Sequence, residues 1–294
     1  MSFKRTILLT AALAATVGIA ACSTTASEVK PTPSSKVTVP MTDAKQQVVD
    51  LLKSIETGNA GPVAYINPNQ YTQHNLSVGD GLAGFGAVLQ ALPKGSAKVN
   101  TVRVFQDGPF VFAHTDYNFI GPKIGFDIFR FEDGKIVEHW DNLQDTPTQP
   151  NPSGRSMIDG PSVATDLDKT EANKALVKAF VDDVFVNGRT DKRASYFDGD
   201  NYIQHNRRVP DGLSALGAAL EAMAKAGVRM TFTKVHKILG EGNFVLTVSE
   251  GEFGGKHVAF YDLYRVQNGK IAEHWDTMQE IPAKADWKNS NGKF

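Results

Sequence analysis

FDIFRFEDGKIVEHWD at 126–141 returns as YDLYRVQNGKIAEHWD at 261–276. In each copy an alternating apolar run meets Asp-Gly or Asn-Gly and is followed by a second alternating run. Such a pair between two strands is the strongest short hairpin signal, because both residues tolerate positive φ. Upstream, YTQHNLSVGDG at 71–81 matches YIQHNRRVPDG at 202–212, in the same order along the chain. The sequence is therefore a tandem duplication of a unit of roughly 100 residues, a period too long for a solenoid.

The two units read alike. An amphipathic helix comes first, with Val48, Val49, Leu52 and Ile55 on its apolar face in one copy and Leu176, Phe180 and Val184 in the other. Thr42 and Thr170 are placed to cap these helices, and Gly58-Asn59 and Asn187-Gly188 to end them. The Tyr-x-Gln-His-Asn segment follows. A second helix then starts near Asp80-Gly81 or Asp211-Gly212, with Phe85, Val88, Leu89 and Leu92, or Leu216, Leu220 and Met223, as its apolar positions. The remainder of each unit reads as antiparallel strands. Helices followed by a meander predict an α+β fold. GDGLAG at 79–84 satisfies G-x-G-x-x-G, but no βαβ unit surrounds it and the second copy breaks the pattern, so a dinucleotide site is rejected. Asp80 and Asp211 are expected to cap the second helices.

The chain has 294 residues, 41% hydrophobic and 21% charged, with a formal net charge of −1. That is the composition of a globular protein, with no basic excess to attract nucleic acid. Residues 1–21 read as a secretory signal: Lys4 and Arg5, an apolar run over 7–19, then Cys22 after small residues. This end resembles a bacterial lipobox, which implies cleavage before Cys22 and lipidation of its thiol. The single Cys of an exported chain has no internal disulfide partner, and Ser23 after it implies the outer membrane. Residues 22–40 read as a flexible tether, 41–147 as the first domain, 148–166 as a linker, 167–283 as the second domain and 284–294 as a tail.

Strand alternation puts His139 and Asp141 on one face, with Glu138 and Trp140 on the other. A two-residue turn pairs Asp127 with Trp140; a three-residue loop, Glu132 to Gly134, pairs it with His139 and gathers Asp127, His139, Asp141 and Phe129 on one face. The second copy offers Asp262, His274 and Asp276 with Tyr264. A carboxylate–imidazole–carboxylate cluster beside aromatic rings suits acid/base chemistry, since burial and charge move its pKa values. Trp140 and Trp275 suit packing, Arg130 and Arg265 suit pairing with Glu138 and Glu273, and Gln144 and Gln279 suit a ligand contact or a strand end.

Helix, helix, meander and the two motifs resemble the SnoaL-like branch of the NTF2-like superfamily across both copies. The resemblance implies two cones, each a curved sheet wrapped around a pocket. It implies a pocket Asp as acid/base in an aldol-type cyclisation of a small molecule, with no metal or organic cofactor. That Asp lies seven residues after the hairpin Gly, which selects Asp141 and Asp276. Seven residues before the Gly stand Asp127 and Asp262 where the cyclases carry His, a departure that weakens transfer of the cyclase activity. Ketosteroid isomerases, of the same superfamily, place an oxyanion-stabilising Asp near that position, and this register supports the three-residue loop. By the same resemblance Tyr71, Gln73, His74 and Asn75, and Tyr202, Gln204, His205 and Asn206, line the pockets as substrate-binding groups, with His74 and His205 touching a substrate oxygen or orienting the Asp. Both pockets are expected to form, with the copies paired through their sheets inside the chain or as a homodimer. A metal reading would need His74, His139 and one carboxylate. The functions to be separated are an envelope-anchored acid/base enzyme and a non-catalytic binding lipoprotein.

Overall fold

The computed structural model describes residues 41–93 and 95–294, all within one compact unit. The signal segment, Cys22 and the tether lie outside the described residues, as does the Thr42 side chain. Helix α1 (Met41–Thr57) buries Ala44, Val48, Leu51 and Leu52. It stops at Gly58, whose φ of +68° is the left-handed stop that glycine adopts without strain. A two-residue strand β1 (Thr72–Gln73), helix α2 (Gly81–Ala91) and a meander β2 (Lys98–Asp107), β3 (Phe110–Asn118), β4 (Pro122–Glu132) and β5 (Lys135–Asp145) complete the first repeat. The second repeats this order: α3 (Thr170–Phe180), β6 (Ile203–Gln204), α4 (Leu213–Lys225), β7 (Met230–Glu241), β8 (Phe244–Phe253), β9 (Lys256–Gln267) and β10 (Lys270–Glu280). Thr170 is the first helical residue, not the cap, and α3 runs on as a π-helical turn over Val181–Val186. The sheets have the same order, β1-β5-β4-β3-β2 and β6-β10-β9-β8-β7, with the short strand parallel to its neighbour. The fold is α+β, two helix-on-curved-sheet cones in tandem.

The hairpin register differs from the sequence expectation in its mechanism. Asp133 and Gly134, at φ 47° and 75°, make a two-residue turn with Glu132 opposite Lys135. A bulge at Val137 then shifts the ladder, so that Asp127 faces Asp141 and Phe129 faces His139. The bulge restores the side-chain parity that a three-residue loop would have given. The second copy does the same with Asn268-Gly269 and a bulge at Ala272, placing Asp262 opposite Asp276.

Each sheet's inner face packs on its own helices, and the two outer faces pack on each other. One buried cluster joins Phe105, Phe112, Ile128 and Trp140 of the first repeat to Phe244, Leu246, Tyr261 and Trp275 of the second. The two repeats exchange contacts reciprocally: Arg103 of the first lies 4.4 Å over the Trp275 ring, and Lys237 of the second 4.0 Å over Trp140. Gln279 Oε1 accepts from Leu143 N and Gln144 Oε1 from Met278 N, at 3.3 and 3.0 Å, so these glutamines bind the opposite strand. The fully buried Asn142 donates to Ala259 O and Thr277 O, satisfying polar groups that the interface would otherwise strand.

The segments after β5 and after β10 are straps, each laid over the other repeat. After β5, Asn151 donates to Gln204 O and Val209 O, and Ser156 O accepts from His205 Nδ1. Arg103, only 1% exposed, donates to the carbonyls of Ile158, Asp159 and Pro161. After β10, Asn289 donates to Asn75 O and Val78 O, Asn291 to Gln73 O, and Gly292 O accepts from His74 Nδ1. Asp80 and Asp211 do not cap the second helices through their side chains. They accept instead from the backbone N–H of Gln73 and Gln204, steadying the short strands.

The strap contacts carry a pH dependence. Burial alone would raise the Glu273 carboxyl, but its bonds with His205 (2.8 Å) and Arg265 (2.6 Å) outweigh that and hold it below its usual value. A depressed carboxylate contributes stability above its unfolded pKa of about 4.3 and loses it as pH falls through the folded value. The thermal midpoint is therefore expected to fall as pH drops from about 5 to 3, less steeply in Glu273→Gln. Identical slopes for the two proteins would disprove this assignment.

Candidate active site

A cavity of about 430 Å³ opens between α1, α2 and the inner face of the first sheet. Leu51, Leu52 and Ile55 wall it from α1, and Phe85, Val88 and Leu92 from the segment of α2. Its polar lining takes in Tyr71, Gln73, Asn75, Asp127, His139 and Asp141 of the expected set, together with Ser77, Tyr117, Lys123 and Gln279. Alternation along β1 and its flanks delivers Tyr71, Gln73 and Asn75, and the bulge at Val137 delivers His139 and Asp141.

The hydrogen bonds order these groups. Gln73 Oε1 accepts from Asn75 N (2.8 Å), which identifies that atom as the oxygen, and from His139 Nδ1 (3.0 Å). With its Nδ1 proton committed, His139 shares one proton through Nε2 with Asp127 Oδ1, 3.1 Å away. Tyr117 OH donates to Asp127 Oδ2 at 2.7 Å. Burial pushes the Asp127 carboxyl up, the nearby Asp141 adding to this against the bonds with His139 and Tyr117. Asp141 Oδ2 accepts from Asn75 Nδ2 at 2.6 Å, while its Oδ1 has no hydrogen-bond partner. The site thus holds one carboxyl tied into a proton-sharing chain beside a second whose buried Oδ1 takes no hydrogen bond and faces the Lys293 ammonium at 3.6 Å, an arrangement suited to moving a proton.

The second repeat keeps the polar set and packs more aromatic rings around it. His274 Nε2 meets Asp262 Oδ1 at 3.0 Å, His274 Nδ1 meets Gln204 Oε1, and Asn206 Nδ2 donates to Asp276 Oδ2 at 2.6 Å. Tyr202 is buried beside them. Sheet register aligns Gly125 with Phe260 and Tyr117 with Gly251. The Phe260 ring stacks on Phe232 at 4.4 Å, and Phe232 on Phe185 at 4.9 Å, so phenyl rings stand inside the second cone. Asp262 Oδ2, with no tyrosine to serve it, is buried and unpartnered, and burial raises the Asp276 carboxyl. The duplicated motifs thus sit in cones with different fillings.

His74 and His205 are also corrected. Both lie on the outer face, stacked on Trp140 and Trp275 at 4.7 Å, with Nε2 on Glu138 and Glu273. They follow Gln73 and Gln204 by one residue, and alternation takes them away from the cavity. They fasten the straps and touch no substrate space. Arg130 and Arg265 pair with Glu138 and Glu273 as expected. With His74 on the other face, the two-His, one-carboxylate metal set is not assembled. Among the described residues, only Asp127, His139 and Asp141 form a group of three with ligand atoms within 4.8 Å of one another, a spacing a cation can use. Lys293 Nζ, 3.6 Å from Asp141 Oδ1, already supplies positive charge there. Sequence reasoning missed Tyr117 and Lys293. Tyr117 sits on the alternating face of β3 but is not duplicated, and Lys293 carries no local signal.

A family model described as SnoaL-like domain matches residues 177–274. No curated protein sequence matches the chain. Among solved structures, TsrD from Streptomyces laurentii is 18% identical, with 36% of this chain and 91% of that one covered, at a TM-score of 0.32. A putative ketosteroid isomerase from Kribbella flavida is 16% identical (39% and 83% covered, TM-score 0.32). An LEH-like epoxide hydrolase from M. tuberculosis is 19% identical (35% and 84%, TM-score 0.31). Residues 177–274 are similar to a SnoaL-like domain, and the preceding half of the chain repeats the architecture and the polar constellation of that segment.

Proposed function

We propose that the first repeat is a cofactor-independent acid/base site for a small, largely apolar carbonyl compound. The observation that carries this is the meeting of two carboxyls and an imidazole, Asp127, His139 and Asp141, in the lining of a largely apolar cavity. Asp141 takes the proton from the carbon next to the carbonyl, and the C–H electron pair moves into the enolate. The proton shared by Asp127 and His139, backed by Tyr117, is the one offered to the developing oxyanion. Returning the proton at another carbon gives isomerisation, and attack of the enolate on a second carbonyl gives an aldol-type ring closure. The SnoaL-like match covers residues 177–274 of the second repeat; it supports this class of chemistry for the first repeat through the shared constellation, without naming a substrate. The test is deuterium uptake at the α-carbon of cyclic ketones, 2-tetralone first, followed by NMR in D₂O. Uptake faster than in buffer is expected; a panel of such ketones exchanging no faster than in buffer overturns the reading.

The second reading, a non-catalytic binding or packing module, is favoured for the second repeat alone by the rings inside its cone. We propose further that the chain is exported and held at the outer membrane through lipid on Cys22. Among the described residues no helix is long and apolar enough to cross a membrane. Labelled palmitate is expected to enter the wild-type chain and not Cys22→Ser; equal labelling of both would refute the anchor.

A further inference from the structure

The two straps correspond residue by residue. Gly292 O meets His74 Nδ1 on one side, and Ser156 O meets His205 Nδ1 on the other. The next residue in each strap reaches the same glutamine position: Lys293 Nζ donates to Gln279 Oε1 at 2.7 Å, and Gln144 Nε2 lies 3.9 Å from Met157 Sδ. Lys293 and Met157 are thus equivalent, and both are buried, at 5% and 4% exposed. Only Lys293 brings charge. Its ammonium donates to Asp141 O at 2.7 Å and stands 3.6 Å from Asp141 Oδ1. In the second cone the corresponding oxygen, Asp276 Oδ1, is likewise buried without a hydrogen-bond partner, and the equivalent strap residue, Met157, brings it no charge.

We infer that Lys293, carried into the first repeat by the C-terminal strap of the second, is the positioning residue for Asp141, and that Met157 leaves the second constellation without this group. Placing an ammonium in a buried site is costly unless a carboxylate answers it. Hydrophobic Met at the equivalent place shows that the fold does not need a cation there. Lys293 does not line the cavity, so it acts through Asp141, fixing the strand carbonyl and standing as a positive charge beside the carboxylate. The site is therefore complete only when the last residues of the chain are in place. Burial lowers the Lys293 ammonium from its usual value, and the facing carboxyls of Asp141 and Asp127 work against that.

This inference rests on the acid/base reading of the first repeat, and the experiment separates the two. In the full chain with isotope-labelled lysine, NMR is expected to show Lys293, assigned with Lys293→Met, titrating below the surface lysines and lower still in Asp141→Asn. In the 2-tetralone exchange assay, Lys293→Met is expected to lower the rate by the order of tenfold to a hundredfold and to displace its pH profile. Lys293→Arg, which keeps the charge, is expected to recover part of the rate. If the wild type exchanges ketone and Asp141→Asn does not, but Lys293→Met keeps the wild-type rate and profile, the inference is overturned. Titration of Lys293 together with the surface lysines overturns it as well. Absence of exchange in the wild type instead overturns the acid/base reading.

Discussion

Asp141→Asn is expected to lower ketone α-proton exchange by about 10²–10⁴-fold, the usual worth of a positioned general acid/base group, and Asp276→Asn to leave the rate unchanged. The sequence offers the two aspartates as equals, seven residues after the same hairpin glycine. The structure separates them. Asp141 lines a cavity of about 430 Å³ and has a buried ammonium 3.6 Å away. Asp276 lies beneath a cone in which Phe232 and Phe260 are stacked. Asparagine matches aspartate in shape, so the fold should survive while the proton acceptor is lost. Thermal midpoints of the two variants serve as the check on folding. Comparable losses from both substitutions, or a loss confined to Asp276→Asn, would reverse the assignment of the working site.

Trp275→Ala is expected to cost about 3–5 kcal/mol, the range for removing a large buried aromatic side chain. Trp275 is fully buried in the cluster shared by both sheets. Its ring lies under Arg103, and its Nε1 donates to Asp159 O in the strap at 2.9 Å. The substitution removes dispersion contacts, the partner of a buried guanidinium and one strap bond together. Because the cluster draws on both repeats, the loss should be felt by the whole described fold. Urea denaturation is expected to give one transition at a lower midpoint. Two separated transitions, with the first repeat unaffected, would show that the cluster does not couple the repeats.

The fold and the polar set were legible because both follow from local rules. Alternation put Tyr71, Gln73 and Asn75 on one side and His139 and Asp141 on one side, whatever the loop did beyond an even shift of register. His74 and His205, which the resemblance places in the pocket, face the other way because the same alternation turns the residue after Gln73 and Gln204 outward. The bulge at Val137 was not legible: Asp-Gly is compatible with either loop, and the extra residue is set by how the sheet must curve over its helices.

What the sequence alone determined is the duplication, the α+β class, the hairpins and the residues each cone presents inward. Those depend on neighbours in the chain and on a period of two. Tertiary structure decided how each cone is filled, with Val99, Tyr117 and Gly125 in the first where Phe232, Gly251 and Phe260 stand in the second, positions whose effect depends on what faces them across the sheet. It also decided that each repeat is finished by the other's strap, and that one strap brings Lys293 while the other brings Met157. A lysine 152 residues from its carboxylate has no spacing that announces it; only packing brings the two together.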